Sequence, residues 1–189
     1  MIKHIKKETL KTKAWSGGTT TELYLFPETG DYKSLDFGYR LSTASVDVEA
    51  SNFTSLPGIN RLIMSLTAPL ELIHTDHHSV TLQPFEVDAF KGSWHTLSKG
   101  KVVDFNLMYT DDYKASMAVK DLSKDVLEVF INDTLALYAF DQSVTIRCES
   151  INYDLDKGEM LIISQMDSVI IQSKTNNKIV ICNIEKNKV

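Results

Sequence analysis

The chain has 189 residues, 43% hydrophobic and 24% charged, with only 8 Gly and 4 Pro, which supports a sizeable packed core and excludes a disordered or low-complexity polypeptide. Twenty Lys and Arg against 25 Asp and Glu give a formal charge of −5, so nucleic acid is not the expected partner, because phosphate neutralisation needs a positive patch. No apolar run approaches a membrane span and no apolar signal core follows the basic N-terminus, so no membrane partner is expected and the cytoplasm is the expected compartment.

In chain order, Lys3, Lys6, Lys7, Lys11 and Lys13 interleave with Ile2, Ile5 and Leu10, the pattern of a half-exposed strand rather than a polyanion-binding tail. The segment Trp15-Ser-Gly-Gly-Thr-Thr-Thr-Glu22 follows. Its two glycines fit a simple turn or an anion-binding concavity of backbone N–H groups. It lacks the lysine-threonine pair and following helix of a phosphate loop. Strands are predicted over 20–26 and 37–46. In the second, Arg40, Ser42 and Ala44 share one face. Small residues around a guanidinium leave room for a ligand, and the guanidinium fork suits a carboxylate. Solvent exposure, or pairing of Arg40 with Glu22 or Asp104, is the alternative.

The bend Leu56-Pro-Gly-Ile-Asn60 leads into a strand over 61–66, which anchors Arg61 on a rigid support. A strand over 70–74 ends at His74, and His77 and His78 follow in a turn with Asp76. That spacing is not the His-x-His pair with a nearby Glu and a later His of a metal-binding cupin barrel, so a solvated turn is expected and no metal or cofactor is assigned. The strand over 102–109 puts Asp104, Asn106 and Met108 on one face, where an acceptor and an amide can bind a polar group or orient the arginines. A buried polar network that only stabilises the core is the alternative.

Residues 111–131 would tolerate a helix but are read as strand, turn, strand. Further strands are predicted over 135–140, 144–146, 160–164, 169–173 and 178–184, and this spacing indicates an all-β sandwich or barrel. Cys148 and Cys182 lie in apolar strands without CxxC spacing, which fits buried thiols in a reducing compartment. An ungapped overlay of 60–90 on 133–163 matches Leu62 with Leu135, Met64 with Leu137, Ile73 with Ile146 and Leu82 with Leu155, and suggests an internal duplication.

Four fragments, Trp15-x-Gly17-Gly18-x-Thr20-x-Glu22, Arg40-x-Ser42-x-Ala44, Phe53-x-x-Leu56-Pro57-Gly58-x-x-Arg61 and Asp104-Phe105-Asn106-x-Met108, resemble the HutD/Ves family. The resemblance implies a double cupin (bicupin, RmlC-like jelly-roll) fold formed by one chain, a compact unit with cupin-like halves at about 1–110 and 111–189. It also implies an association with histidine utilisation and, in the Ves branch, with cold or stress response. The role it implies is binding a carboxylate-bearing metabolite such as formiminoglutamate to govern pathway flux. Carried onto this chain, the ligand-binding candidates are Trp15, Glu22, Arg40, Ser42, Arg61, Asp104 and Asn106, none of them catalytic, and a homodimer is the oligomer allowed for. Tyr39 and Asn60 replace the tryptophan and aspartate often found in the family.

Two rival classes follow from the same residues. One is an enzyme, metal-assisted through the histidines or a metal-free isomerase or hydrolase using Glu22 or Asp104 as base. Neighbouring arginines are expected to lower such a carboxylate's pKa and weaken it as a base. The other is an interaction protein that has kept the barrel but lost its ligand, a reading that a filled or absent cavity would favour.

Overall fold

The computed structural model describes residues 1–122 and 126–188. It is built of antiparallel strands with one 3-10 turn at Lys7–Thr9. In chain order the strands are β1 (Ile2–Ile5), β2 (Lys11–Trp15), β3 (Gly18–Phe26), β4 (Tyr39–Val46), β5 (Ala50–Asn52), β6 (Ile59–Ser65), β7 (Leu70–His74), β8 (Ser79–Leu82), β9 (Val87–Lys91), β10 (Thr96–Lys99) and β11 (Val103–Thr110). They continue with β12 (Tyr113–Leu122), β13 (Leu127–Phe130), β14 (Thr134–Tyr138), β15 (Val144–Cys148), β16 (Ile151–Leu155), β17 (Met160–Ser164), β18 (Ser168–Gln172) and β19 (Asn177–Lys186). The all-β reading therefore holds, and the ambiguous 111–131 stretch is strand on both sides. The turn expected inside it falls on 123–125, outside the described residues.

The chain divides into two compact units, Lys11–Tyr113 and Met1–Leu10 with Lys114–Val189. Sequence halves at 1–110 and 111–189 differ from these units mainly at the N-terminus, because β1 pairs with β17 through Ile2↔Ile163 to Ile5↔Met160. No local signal in residues 1–10 reveals so distant a partner.

In the unit Lys11–Tyr113 a six-stranded sheet runs β2-β3-β4-β11-β6-β9 and a four-stranded sheet runs β5-β10-β7-β8. In the other unit the orders are β1-β17-β14-β19-β12 and β13-β18-β15-β16. Reading β4, β11, β6 and β9 against β12, β19, β14 and β17, and β5, β10, β7 and β8 against β13, β18, β15 and β16, the two units repeat one topology. This is the cupin arrangement of two sheets enclosing a core. Among the described residues no helix is long and apolar enough to cross a membrane.

The two interiors differ. In the second unit Leu135, Leu137, Leu161, Ile163, Ile179 and Ile181 join one large buried cluster with Ile146 and Leu155, each such side chain contributing about 1.5–3 kcal/mol of burial. The ladders show what stands in their places in the first unit. Arg61 faces Phe90 as Leu135 faces Ile163, and Ile63 faces Asp88 as Leu137 faces Leu161. Asn106 faces Ile63 as Ile181 faces Leu137. Arg61, Asp88 and Asn106 thus replace Leu135, Leu161 and Ile181. This corrects the ungapped overlay, which set Leu62 on Leu135. A slip of one residue moves every side chain to the other face of the sheet, and with the slip removed the arginine sits where its counterpart is core.

Both cysteines are free and buried, as expected. Burial pushes both thiols above their usual range, so neither is a reactive thiolate at neutral pH.

Candidate functional site

Residues directly opposite on antiparallel strands project to the same face, so the six-stranded sheet carries its candidate residues in transverse rows. One row reads Leu25, Arg40, Met108, Arg61 and Phe90 across β3, β4, β11, β6 and β9. The next reads Glu22, Ser42, Asn106, Ile63 and Asp88, and the third reads Thr20, Ala44, Asp104 and Ser65. Arg40 and Arg61 flank Met108, two strand spacings or about 10 Å apart at the backbone, within reach of two long side chains directed into one space.

The register depends on a bulge in β3, where the pairing shifts between Glu22↔Ser42 and Tyr24↔Leu41. The extra residue, Leu23, turns the strand so that Glu22 and Leu25 both face inward. Plain period-two alternation would have put Tyr24 there instead. The bend before Arg61 is closed by the Ile59 amide donating to the Leu56 carbonyl at 3.2 Å. Gly58 has φ +80°, the value a type II turn with Pro at its second position demands.

The Gly17-Gly18 pair is a tight hairpin between β2 and β3, with Trp15 paired to Gly18. At Gly18 a Cβ would lie 1.9 Å from the Ser45 carbonyl oxygen, so glycine is required by close approach of two backbones. Trp15, Ser16 and Gly17 border the cavity, with Trp15 at the exposed rim.

Residues of these rows on β3, β4, β6 and β11 line a cavity of about 760 Å³, and all seven predicted residues, Trp15, Glu22, Arg40, Ser42, Arg61, Asp104 and Asn106, are on its wall. Lys11, Lys13, Tyr32, Phe53 and Ser98 also line it. They were not legible as site residues: the lysines read as strand exterior, and Tyr32 and Phe53 sit in loops whose course the local sequence does not specify.

Arg40 is buried at 6% exposure. Its Nε donates to Glu22 Oε2 at 2.7 Å and its Nη1 to Ser42 Oγ at 3.2 Å, and its guanidinium lies 4.2 Å from the Tyr32 ring centre. The internal pairing weighed as an alternative is therefore present for Arg40, with a carboxylate that is itself 40% exposed at its side chain.

Arg61 is held differently. Its Nη2 donates to Asn106 Oδ1 at 2.8 Å, and its Cζ lies 4.5 Å and 4.9 Å from the Phe53 and Phe90 ring centres. The Asn106 amide in turn donates to Asp104 Oδ1. Arg61 Nε is buried with no hydrogen-bond partner. Burial lowers the Arg61 pKa to about 10, so it stays cationic.

Burial raises Asp104 to about 7, outweighing the pull of Arg61 and the Asn106 hydrogen bond in the other direction. This reverses the expectation that neighbouring arginines would depress the acid. At neutral pH the cavity presents Lys11, Lys13, Arg40 and Arg61 against Glu22 and a carboxyl near its own midpoint. The balance is positive; Lys11 and Lys13 are exposed, whereas Arg40 and Arg61 are buried in surroundings drier than bulk water, where charge-assisted hydrogen bonds strengthen.

The histidine group is not the solvated turn the spacing suggested. His74 ends β7 with 2% exposure. Its Nε2 lies 2.8 Å from Asp88 Oδ2 and its Nδ1 2.8 Å from Thr96 Oγ1, while His78 Nε2 lies 3.0 Å from Asp88 Oδ1. The acidic partner is Asp88, on the inner face of β9, and not the adjacent Asp76. Only His77 and His78 are on the exposed turn.

Comparison with known proteins places this geometry. No curated protein matches the sequence. A crystal structure of a conserved protein of unknown function from Pseudomonas aeruginosa PAO1 is similar, at TM-score 0.86 and 21% identity over 98% of this chain and 100% of that one. HutD from Pseudomonas fluorescens SBW25 is similar at TM-score 0.79 and 22% identity over the full length of both chains. The bacterial pirin YhhW from Escherichia coli, solved with nickel(II), gives TM-score 0.71 at 9% identity, over 99% of this chain and 100% of that one. At such identities these likenesses establish the cupin fold. The HutD family model matches residues 7–181, nearly the whole chain and a span that contains the seven predicted cavity residues, and the chain belongs to the HutD family.

Proposed function

We propose that the cavity of the Lys11–Tyr113 unit binds a small carboxylate-bearing metabolite, and that the protein acts by binding it, as a cytoplasmic sensor or regulator in histidine catabolism. The observation that carries this reading is the placement of Arg40 and Arg61 on either side of Met108, facing one cavity with Lys11 and Lys13. A carboxylate leaving water needs charged donors, and the two buried guanidinium groups on the cavity wall supply them. Glu22 and Asp104 suit a cationic end, so a dicarboxylate carrying an amidine group, such as formiminoglutamate, matches the charges in kind.

The test is a thermal-shift screen of histidine-breakdown intermediates on the natural chain and on Arg61→Ala. A ligand at 100 times its dissociation constant stabilises the folded state by about 2.7 kcal/mol. A shift that persists undiminished in Arg61→Ala removes Arg61 as the anchor and the proposal with it.

One observation favours a second reading, an enzyme with Asp104 as general acid or base. A carboxyl that titrates at about 7 is matched to proton transfer at neutral pH. Turnover of a screening hit, followed by NMR and abolished in Asp104→Asn, would select it over binding alone.

A further inference from the structure

We propose that His74, His78 and Asp88 form a binding site for one divalent transition-metal ion, held through the two imidazole Nε2 atoms and the Asp88 carboxylate. The site stands apart from the anion cavity, whose wall includes none of the three. Their ligand atoms all lie within 4.8 Å of one another, and the two imidazole-to-carboxylate distances are 2.8 Å and 3.0 Å. Ligands at about 2.1 Å in a tetrahedron are about 3.4 Å apart. The two imidazole-to-carboxylate distances therefore need to open by only about half an ångström to admit an ion.

The three residues are fixed by backbone and not by chance proximity of long side chains. His74 and His78 bracket the β7–β8 turn, which is closed by the His74 amide donating to the His78 carbonyl at 2.8 Å and the His77 amide to the His74 carbonyl at 3.0 Å. Asp76 takes the positive φ, 63°, that this turn requires. The two rings stand 4.6 Å apart, centre to centre. Thr96 Oγ1 holds His74 Nδ1, so the second ring nitrogen is anchored while Nε2 points at Asp88. That is how proteins orient an imidazole for a metal.

Access is one-sided. The His74 side chain is fully covered, while that of His78 is 39% exposed, which gives an ion a way in and leaves a coordination position for water. Two imidazoles and one carboxylate suit Zn²⁺, Ni²⁺ or Co²⁺ better than Mg²⁺ or Ca²⁺. In the unmetallated protein Asp88 is hydrogen-bonded by the imidazoles, and metal replaces the shared protons.

The test is calorimetric titration of the untagged full-length chain with Zn²⁺ and, separately, with Ni²⁺. Trp94 provides a second readout, because the His77 ring stacks on it at 3.8 Å and the His74 and His78 rings meet it edge-on at 5.6 Å and 5.8 Å. Trp15 is the only other tryptophan, so in a Trp15→Phe background Ni²⁺ should quench Trp94 emission saturably. The expected result is one equivalent bound per chain, with affinity falling tenfold or more in His78→Ala and in Asp88→Asn and unchanged in His95→Ala. His78 lies at the surface, so its truncation leaves the fold intact, which circular dichroism checks. Absence of saturable binding by both metals, or binding that survives both His78→Ala and Asp88→Asn, overturns the proposal.

Discussion

The substitution Asp104→Asn tests the electrostatics of the cavity most directly, because it removes one charge and keeps the shape. The folded protein holds this carboxyl near 7 where an exposed aspartate titrates near 3.8. Below the unfolded value both states carry the proton and the folded state has no charge to bury there. As pH rises past it, the unfolded chain ionises first and stability falls until the folded carboxyl also ionises. Between those values the folded state holds up to one proton more, so unfolding free energy declines by up to about 1.4 kcal/mol per pH unit. Over the whole interval the loss is on the order of 4 kcal/mol. It should be absent from Asp104→Asn.

Urea denaturation of both proteins, at steps from about pH 4 to about pH 8, gives the difference directly, because the contributions of other titrating groups largely cancel between them. The variant should gain on the natural chain steadily with pH and level off above about pH 7. Parallel pH profiles would mean that Asp104 is an ordinary ionised carboxylate and that the cavity is wetter than the burial of its residues implies.

Replacing Arg61 by alanine should weaken carboxylate binding on the order of 10- to 100-fold, the worth of a hydrogen bond to a charged group, as measured by calorimetry. Carbon-detected NMR of the same variant should show Asp104 titrating higher still, because Arg61 is the main influence holding it down. Glu22→Gln relieves Arg40 of its ion pair. Glutarate, a plain dicarboxylate, should then bind up to about fivefold more tightly, in line with a partly exposed pair worth at most about 1 kcal/mol, whereas an amidine-bearing dicarboxylate should gain nothing or lose affinity. In the other unit, Leu137→Ala should cost about 2–5 kcal/mol in denaturant titrations, because a fully buried leucine leaves a cavity. His74 has its pKa lowered by burial, so stability should fall as pH drops below about 6.5 and the unfolded state takes the proton first. That acid-side loss should disappear in His74→Gln.

The sequence by itself determined the strand content, the inward face of Arg40, Ser42 and Ala44, the Pro57-Gly58 bend that anchors Arg61, and the alignment of Asp104 with Asn106. These are consequences of strand periodicity and turn chemistry, which act over a few residues. Even so, β4, β6 and β11 are buried along most of their length, so hydrophobic alternation does not distinguish their two faces. Only the misplaced polar residues mark the inner one.

Tertiary structure decided the rest. The β3 bulge that turns both Glu22 and Leu25 inward appears only when β3 is laid against β4. Lys11 and Tyr32 join the cavity because strands distant in sequence close around it, and β1 pairs with β17 more than 150 residues away. Asp88 displaces Asp76 as the partner of the histidines because β9, in the other sheet of the unit, carries Asp88 on its inner face against His74. The sign of the Asp104 shift also belongs to the folded state, since composition gives the charges near a carboxyl but only packing sets how much water is removed from it.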